Sequence, residues 1–398
     1  MDKNKLIYIL GFAGFIVVAD NWVVSPILPA IAGDLNQKIT KVGLLITAYM
    51  LPFGLFQLVF GPLADRYGKK IVISIAMFLF TISTGLCAVA ANFIDLIIYR
   101  MLTGVFAASV IPISLALIGD VVPLSKRQAA IGTFMGISFL GQGLSMAIGG
   151  TMAYLLNWRW VFGIYSILAA LSTALLIIYE RSYKSLKNSN DSFFKPYIRL
   201  LQNSVSIRLY LIVFLEGVLI IGSFSYIGAY ISKIYQYNYF NIGLIMTAFG
   251  VAAVIGGRTS GKLAAKHGQK FLITCGLTIA ALSDMFLGLK GDNLYILVIA
   301  TLLLGFGFML AHSILLTIAT ELASQARGAA MSLISFCFMG GGGIGTAIGG
   351  KIIDISGFNA FYLYGGHALL GLTLLVFVWI KNQFQRKHID EISGKTSI

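Results

Sequence analysis

The stretch GPLADRYGKK, from Gly61 to Lys70, is short, polar and set between two long apolar runs. The chain repeats it as GKLAAKHGQK from Gly261 to Lys270. Gly, Leu, Ala, Gly and Lys return at matching places, and Lys266 stands where Arg66 stood. The same displacement carries Gly43-Leu44 and Thr47-Ala48 onto Gly243-Leu244 and Thr247-Ala248. It carries Arg127, Ala129 and Ala130 onto Arg327, Ala329 and Ala330, and Ala147-Ile148-Gly149-Gly150 onto Ala347-Ile348-Gly349-Gly350. One offset held over so long a stretch means two copies of one structural unit.

Composition fixes the solvent of those copies. The chain has 398 residues, 58% hydrophobic and 11% charged, with mean hydropathy +0.87. Soluble domains carry roughly 25% charged residues, so this chain cannot cover a water-facing surface. A bilayer suits it, since a helix of about 20 apolar residues satisfies its own backbone there. Net charge +14 superficially suits nucleic acid. The basic residues, however, sit in short connectors between apolar runs, where they act as an orientation signal, and no nucleic-acid partner is expected. Cys87, Cys275 and Cys337 all fall in apolar runs, which argues against a disulfide framework. The scattered histidines and cysteines have no metal-ligand spacing, so neither metal nor cofactor is expected. Ala30-Ile31-Ala32 resembles a signal-peptidase site, but the run before it is too long and Asp20 interrupts it.

Apolar runs predict twelve spans: 6–32, 41–61, 71–90, 95–118, 128–155, 160–179, 207–232, 241–260, 270–289, 294–318, 328–352 and 360–380. With the N-terminus inside, the inner segments hold 22 Lys and Arg, the outer ones six, and Arg100 lies within a span. That bias sets both termini in the cytoplasm of a multi-pass cell-membrane protein. The expected organisation is an N-terminal half at 1–180, a cytoplasmic linker at 181–206, a C-terminal half at 207–382 and a tail at 383–398. Within the linker, Phe193, Phe194, Tyr197, Leu200 and Leu201 read either as an amphipathic piece on the membrane surface or as part of a solvated tether. No connector is long enough for a nucleotide-hydrolysing module. Transport would therefore run on an ion gradient or on the solute's own gradient.

A charge at the bilayer centre costs about 2.5–3.5 kcal/mol on insertion scales, so each one is a functional candidate. Asp20 lies mid-span, followed by Asn21 and Trp22, with Pro26 and Pro29 set to kink the outer half of that helix. A carboxylate so placed suits reversible protonation; the competing reading is a structural partner for Arg100 or a local backbone bond. Glu216 lies in span seven, the counterpart of span one, and reads as a second proton carrier, a site for a cationic solute, or a bundle hydrogen bond. Arg100, in span four, keeps its charge and can tune a carboxylate or hold an anion. Helical rise sets its Cα about 10 Å further out than that of Asp20, so a direct pair depends on side-chain reach. Asp284 is expected to reach the outer interface. His312 is a candidate because span ten repeats span four, while His367 reads as a packing residue. Phe224, Tyr226 and Tyr230 in span seven can line a pocket for an amphipathic solute. The glycines at 340–343 and Gly345, like Gly132, Gly141, Gly149 and Gly150, read as close helix packing, because no Lys-Ser/Thr follows to make a phosphate loop.

Over nearly its whole length the chain resembles the major facilitator superfamily, and within it the twelve-span drug–proton antiporters. GPLADRYGKK is similar to that family's loop between spans two and three, with Gly61, Asp65, Arg66, Gly68 and Lys70 at the family's places. The resemblance implies a conformational latch there, with Asp65 and Arg66 breaking and remaking contacts as the site changes sides. Ala265 takes Asp65's place in the second half, so the latch carboxylate is expected only in the first. Leu96, Arg100, Gly104 and Ala108 resemble the span-four signature, whose arginine is associated with proton coupling. SPILP, Ser25 to Pro29, resembles the span-one pattern. Span five has the antiporter signature's glycine spacing but reads Ser145-Met146 where the family has Gly-Pro.

The expected fold is thus an all-α membrane protein, twelve transmembrane helices in two pseudo-symmetric six-helix halves. Its expected function is proton-coupled export of a small amphipathic compound by alternating access, as a monomer. Proton coupling is expected at Asp20, Arg100 and Glu216, and solute contact at Asp20, Asn21, Trp22, Arg100, Glu216, Tyr226 and His312. A dedicated exporter of one metabolite, such as a metal chelator or peptide-like product, fits the same residues. A receptor or scaffold with a transporter's frame is a third reading, disfavoured by the buried charges. No nucleophile–base pair suggests an enzyme.

Overall fold

A computed structural model describes residues 3–180, 195–323 and 327–380. These residues are almost wholly helical. Span one is Lys3–Trp22 followed by Val24–Asp34, and span two is Ile39–Val42 followed by Leu44–Tyr67. Span three is Lys69–Ala88, and span four is Phe93–Ala107 followed by Val110–Val121. Leu124–Leu155 and Trp158–Glu180 complete the first half. The second half holds span seven, in pieces from Ser204 to Tyr235, then Tyr239–His267, Gln269–Lys290 and Leu294–Leu322. Spans eleven and twelve run as one helix, Arg327–Trp379, bent at Gly357, where φ is 80° and ψ 173°. That continuity is why eleven apolar helices, not twelve, are long enough to cross a bilayer among the described residues. Gly357 supplies the positive φ that a side chain would resist, and so turns one helix into two spans.

Proline decides where spans one and four break. Pro26 has no N–H for the carbonyl of Trp22, its partner four residues back, and its ring crowds that group. Span one accordingly breaks at Val23, just beyond Asp20. Pro112 stands in the same relation to Ala108, and span four breaks at Ala108 and Ser109. Span seven has no proline, yet it holds a π-helical turn at Gly217–Ile221 and a second interruption at Tyr226. Wide turns of this kind are common at functional sites.

The halves pack alike. Span one lies on span five, two on four, and three on both four and six; seven lies on eleven, eight on ten, and nine on both ten and twelve. Between halves, span two meets eleven and span five meets eight. We call the end carrying Lys69, Lys70 and Lys266 the basic end, and the end carrying Asp34 and Asp354 the far end. At the far end the halves are joined. Ser25 Oγ donates to the carbonyls of Ser225 at 2.9 Å and Phe224 at 3.3 Å. Thr40 Oγ1 donates to Asp354 Oδ1 at 2.8 Å, and Thr47 Oγ1 to the Gly343 carbonyl at 2.8 Å. Along spans five and eight, Gly150 faces Gly243 and Gly143 faces Gly250, backbone against backbone. Continuing that antiparallel register sets Gly132 opposite Gly261, and both have empty space where a side chain would stand. Gly61 and Gly328, on spans two and eleven, are equally open. The halves therefore close at the far end and part toward the basic end.

Candidate functional site

Asp20 and Arg100 have no exposed surface, and they meet. Arg100 Nη1 donates to Asp20 Oδ2 at 2.7 Å, while Nη2 lies 3.5 Å from the Asp20 carbonyl. The pair that depended on side-chain reach is made. The break at Val23 ends the helix one turn beyond Asp20 and sets Trp22 at its tip. The guanidinium is stacked on the Tyr49 ring at 4.3 Å and near Phe162 at 5.5 Å. Tyr49 in turn donates its hydroxyl to the Val17 carbonyl at 3.3 Å. Asp20 Oδ1 and Arg100 Nε find no partner. A pair half satisfied and fully withdrawn from water is a poor device for stability, since its desolvation opposes its attraction. It is a good device for being made and broken.

A second pair lies in the other half. His312 Nδ1 and Glu216 Oε2 are 2.9 Å apart; Glu216 has no exposed surface and its Oε1 no partner. The imidazole lies against Phe338, 4.4 Å between ring centroids, and Phe308, at 5.2 Å. From there aromatic rings run on: Phe308 to Phe249 at 5.9 Å, Phe249 to Phe224 at 4.3 Å, and Phe224 to Trp22 at 5.1 Å. The row crosses the boundary between halves from the His312 pair to Trp22, two residues past Asp20.

A narrow cleft of about 10 Å³, room for roughly one water molecule, opens beside that row. Asn21, Trp22, Ser25, Ile46, Met50, Ile221, Phe224 and Ser225 line it. Asn21 Oδ1 is buried and unpartnered. The lining is apolar and aromatic with a few polar tips, the usual make-up of a small-molecule site, and it includes no charged side chain. Of the residues expected to touch solute, Asn21 and Trp22 are in this lining. Asp20 stands next to it in sequence and faces Arg100. Tyr226 is elsewhere: its hydroxyl donates to the carbonyls of Thr346 at 2.9 Å and Thr40 at 3.3 Å, closing the far end. Tyr230 donates to the Leu287 carbonyl and meets Tyr362 edge to face.

At the basic end the Gly61–Lys70 stretch carries its own contacts. Asp65 Oδ1 lies 3.3 Å from Lys69 Nζ, which bonds Asp120 Oδ2 at 2.8 Å. Arg66 lies over the Tyr67 ring, and Gly68 takes a φ of 103° that a side chain would resist. Lys70 is buried beside Lys69. Asp120, closing span four, escaped the sequence reading; the signal was an acid at the same end of the bundle as the Lys69–Lys70 pair, two spans on. One expectation is corrected. Asp284 does not reach the interface: it has no exposed surface and accepts from Ser223 Oγ at 2.6 Å. Span nine packs against both ten and twelve there, so that face has no water to reach.

Two like helical halves, a cleft at their boundary and charge pairs kept from water define a polytopic membrane carrier. Comparison with known proteins agrees: the family model described as Major Facilitator Superfamily matches residues 10–264 and 209–396. The chain belongs to the major facilitator superfamily and is one of its secondary transporters. It is 27% identical over 380 residues to the uncharacterized MFS-type transporter YceJ of Bacillus subtilis (strain 168), covering 93% of each chain. It is 27% identical over 378 residues to a probable sugar efflux transporter of Helicobacter pylori (strain P12), covering 94% of this chain and 95% of that one. Among solved structures it superposes on the nucleoside transporter NupG with TM-score 0.79 at 13% identity, covering 96% of this chain and all of that one. A bacterial homolog of the human lysosomal transporter Spinster, inward-facing and unoccupied, gives TM-score 0.74 at 16% identity, with 95% and 96% covered. At such identities the likeness is one of fold.

Proposed function

We propose that this chain is a proton-coupled exporter of a small amphipathic compound, working as a monomer in the cell membrane with both termini in the cytoplasm. The charge bias of the connectors supports that orientation. In it the basic end faces the cytoplasm, so the described conformation is open inward. The observation that carries the proposal is the Asp20–Arg100 pair: wholly buried, half satisfied, and one residue from the cleft-lining Asn21.

In the cycle, solute enters from the cytoplasm and lies on Trp22 and Phe224. Asp20 gives up its proton inward and pairs with Arg100. With the site outward, Asp20 takes a proton, its charge is removed, and the Arg100 bond loses its charge assistance. A neutral Asp20 costs little to keep from water while the halves re-close at the far end. Glu216 and His312 hold span seven to span ten, and Glu216 is a second buried carboxylate able to take the proton. Asp65, Arg66 and Lys70, with Lys69 and Asp120, form the latch that holds the basic end in the opposite state.

Reconstituted vesicles test this. Efflux driven by an inward proton gradient should be abolished in Asp20→Asn while the protein stays folded, as its elution and melting in detergent report. Efflux at full rate with unchanged pH dependence in that variant would sink the proposal. A dedicated exporter of one uncharged, hydroxyl-bearing solute is the second reading. It is favoured by the uncharged cleft, the unpartnered Asn21 Oδ1 and the names of the efflux relatives. A solute panel separates the two: one saturable substrate class against many.

A further inference from the structure

Behind span seven, on the side away from the cleft, a third carboxylate is shut from water. Asp284 has no exposed surface, and only its Oδ1 is engaged, by Ser223 Oγ at 2.6 Å. Its Oδ2 has no partner and looks toward span twelve at Gly365, where an added Cβ would stand 2.9 Å away. Tyr362, one turn before Gly365 on the same helix, is also fully buried with an unpartnered hydroxyl. The proton carries its own logic in such a place. Unlike Asp20, Asp284 has no cation: none of the ion pairs among the described residues includes it. The other titratable groups facing it are tyrosines. Tyr226 and Tyr230 of span seven give their hydroxyls to backbone carbonyls. Span ten presents Ala300, whose carbonyl takes Ser283 Oγ, while its His312 is engaged by Glu216. His367 of span twelve is exposed and bonds the Leu363 carbonyl. The basic residues of span eight, Arg258, Lys262 and Lys266, are exposed at the basic end.

A bare carboxylate with one hydrogen bond is among the most costly groups to enclose. One proton removes the charge. A metal ion would need several oxygens around it, and the described residues offer two unengaged ones, Asp284 Oδ2 and Tyr362 Oη. We propose that Asp284 is a second proton-binding site of this carrier, anchored by Ser223 and separate from the Asp20–Arg100 pair. Its place makes it consequential. Ser223 lies just past the π-helical turn Gly217–Ile221 and just before the interruption at Tyr226. Span seven is the helix that touches the other half through Phe224, Ser225 and Tyr226. Loss of the proton from Asp284 to water leaves an anion held by one Ser223 hydrogen bond and no cation, which water would have to stabilise. Water reaches it when span seven moves off span nine. Proton occupancy and the set of span seven are therefore linked, with no contribution from Asp20.

Infrared difference spectroscopy of the protein in lipid, stepped in pH, tests the site without any solute. Wild type should show a carboxylic-acid C=O band that is lost in Asp284→Asn and kept in Asp20→Asn. Asn keeps the shape and still accepts from Ser223. In Ser223→Ala the band should persist at a shifted frequency, which keeps the test alive if Asp284→Asn fails to fold. The band should shrink as pH rises while the protein stays folded. Three results would each overturn the proposal: no band lost in Asp284→Asn and none shifted in Ser223→Ala; a band constant up to unfolding, which marks a fixed structural acid; or a band abolished by sodium chloride but not choline chloride, which marks a sodium site. Because Asp20→Asn is silent here, failure of this site and failure of the Asp20 reading are told apart.

Discussion

At Arg100 the stacked, bonded guanidinium sits where no other cation can follow Asp20. Removing it strands a carboxylate with a backbone carbonyl and little else. Arg100→Ala should cost about 3–5 kcal/mol, the range for breaking a buried pair from one side. The double variant Arg100→Ala with Asp20→Asn should recover most of that loss, and melting curves in detergent read both. If the single variant melts like wild type at every pH, the ion pair contributes nothing to stability; a loss that appears only as pH rises marks Asp20 taking a proton once its cation is gone. A contrasting residue is Asp34, at the far end beyond the spans. Hydrogen bonding from Arg159 holds its carboxyl below the usual carboxylate range, helped by Trp158. A depressed folded-state pKa gives stability that is present above the unfolded value and fades as pH falls through the folded one. The far-end contact should thus be constant from neutral pH down to about 4 and weaken below. Asp34→Asn should remove that acid-side loss from the pH profile of melting while leaving neutral-pH behaviour close to wild type.

Among elements, glycine pairs set how closely helices cross. A Cβ on Gly104 of span four would run into the Tyr49 carbonyl of span two, and one on Gly305 of span ten into the Phe249 carbonyl of span eight. The two crossings are repeat mates: one sets Tyr49 against Arg100, and the other sets Phe249 in the row that reaches His312 through Phe308. Gly104→Ala should destabilise by about 1–3 kcal/mol through overpacking and should disturb transport by shifting Tyr49. Gly136→Ala is the control, because nothing stands near that glycine; alanine there should be neutral or stabilising by up to about 1 kcal/mol. Equal melting shifts for the two substitutions would contradict the packing. The linker helix Lys195–Gln202 is a second element with a proline cause. Pro62 has no N–H to give the Leu58 carbonyl, and Tyr197 Oη donates to that carbonyl at 3.3 Å. Tyr197 and Leu200 are buried, so this piece packs beneath the bundle and touches both halves. Phe193 and Phe194 lie outside the described residues.

For the whole molecule, the proposed cycle makes the closed far end and parted basic end one conformation of two. Cysteines introduced by Thr40→Cys and Asp354→Cys should cross-link readily, since those side chains meet at 2.8 Å. Cysteines from Gly132→Cys and Gly261→Cys should not, until the carrier turns over. The background needs Cys275 and Cys337 replaced, and Cys87 is buried. The reverse pattern in resting vesicles would mean that the membrane favours the opposite state. Locking the far end should stop transport and reduction should restore it.

Much of this was legible in the chain. The repeated loop at Gly61 and Gly261, the apolar runs and the basic connectors determine a duplicated bundle of membrane helices, because backbone hydrogen bonding in lipid permits little else. Asp20, Arg100 and Glu216 announced themselves by the cost of burying charge. Partners did not. Whether Arg100 reaches Asp20, whether His312 meets Glu216, and whether Asp284 finds water or Ser223 depend on helix rotation and on breaks at Pro26, Pro112 and Tyr226. Local patterns carry no information on rotation between helices far apart in sequence. The sequence by itself determined the solvent, the number of spans and the two-fold design. Only tertiary packing decided which buried charges are paired and which end is shut, because those are set by contacts between spans that no single span encodes.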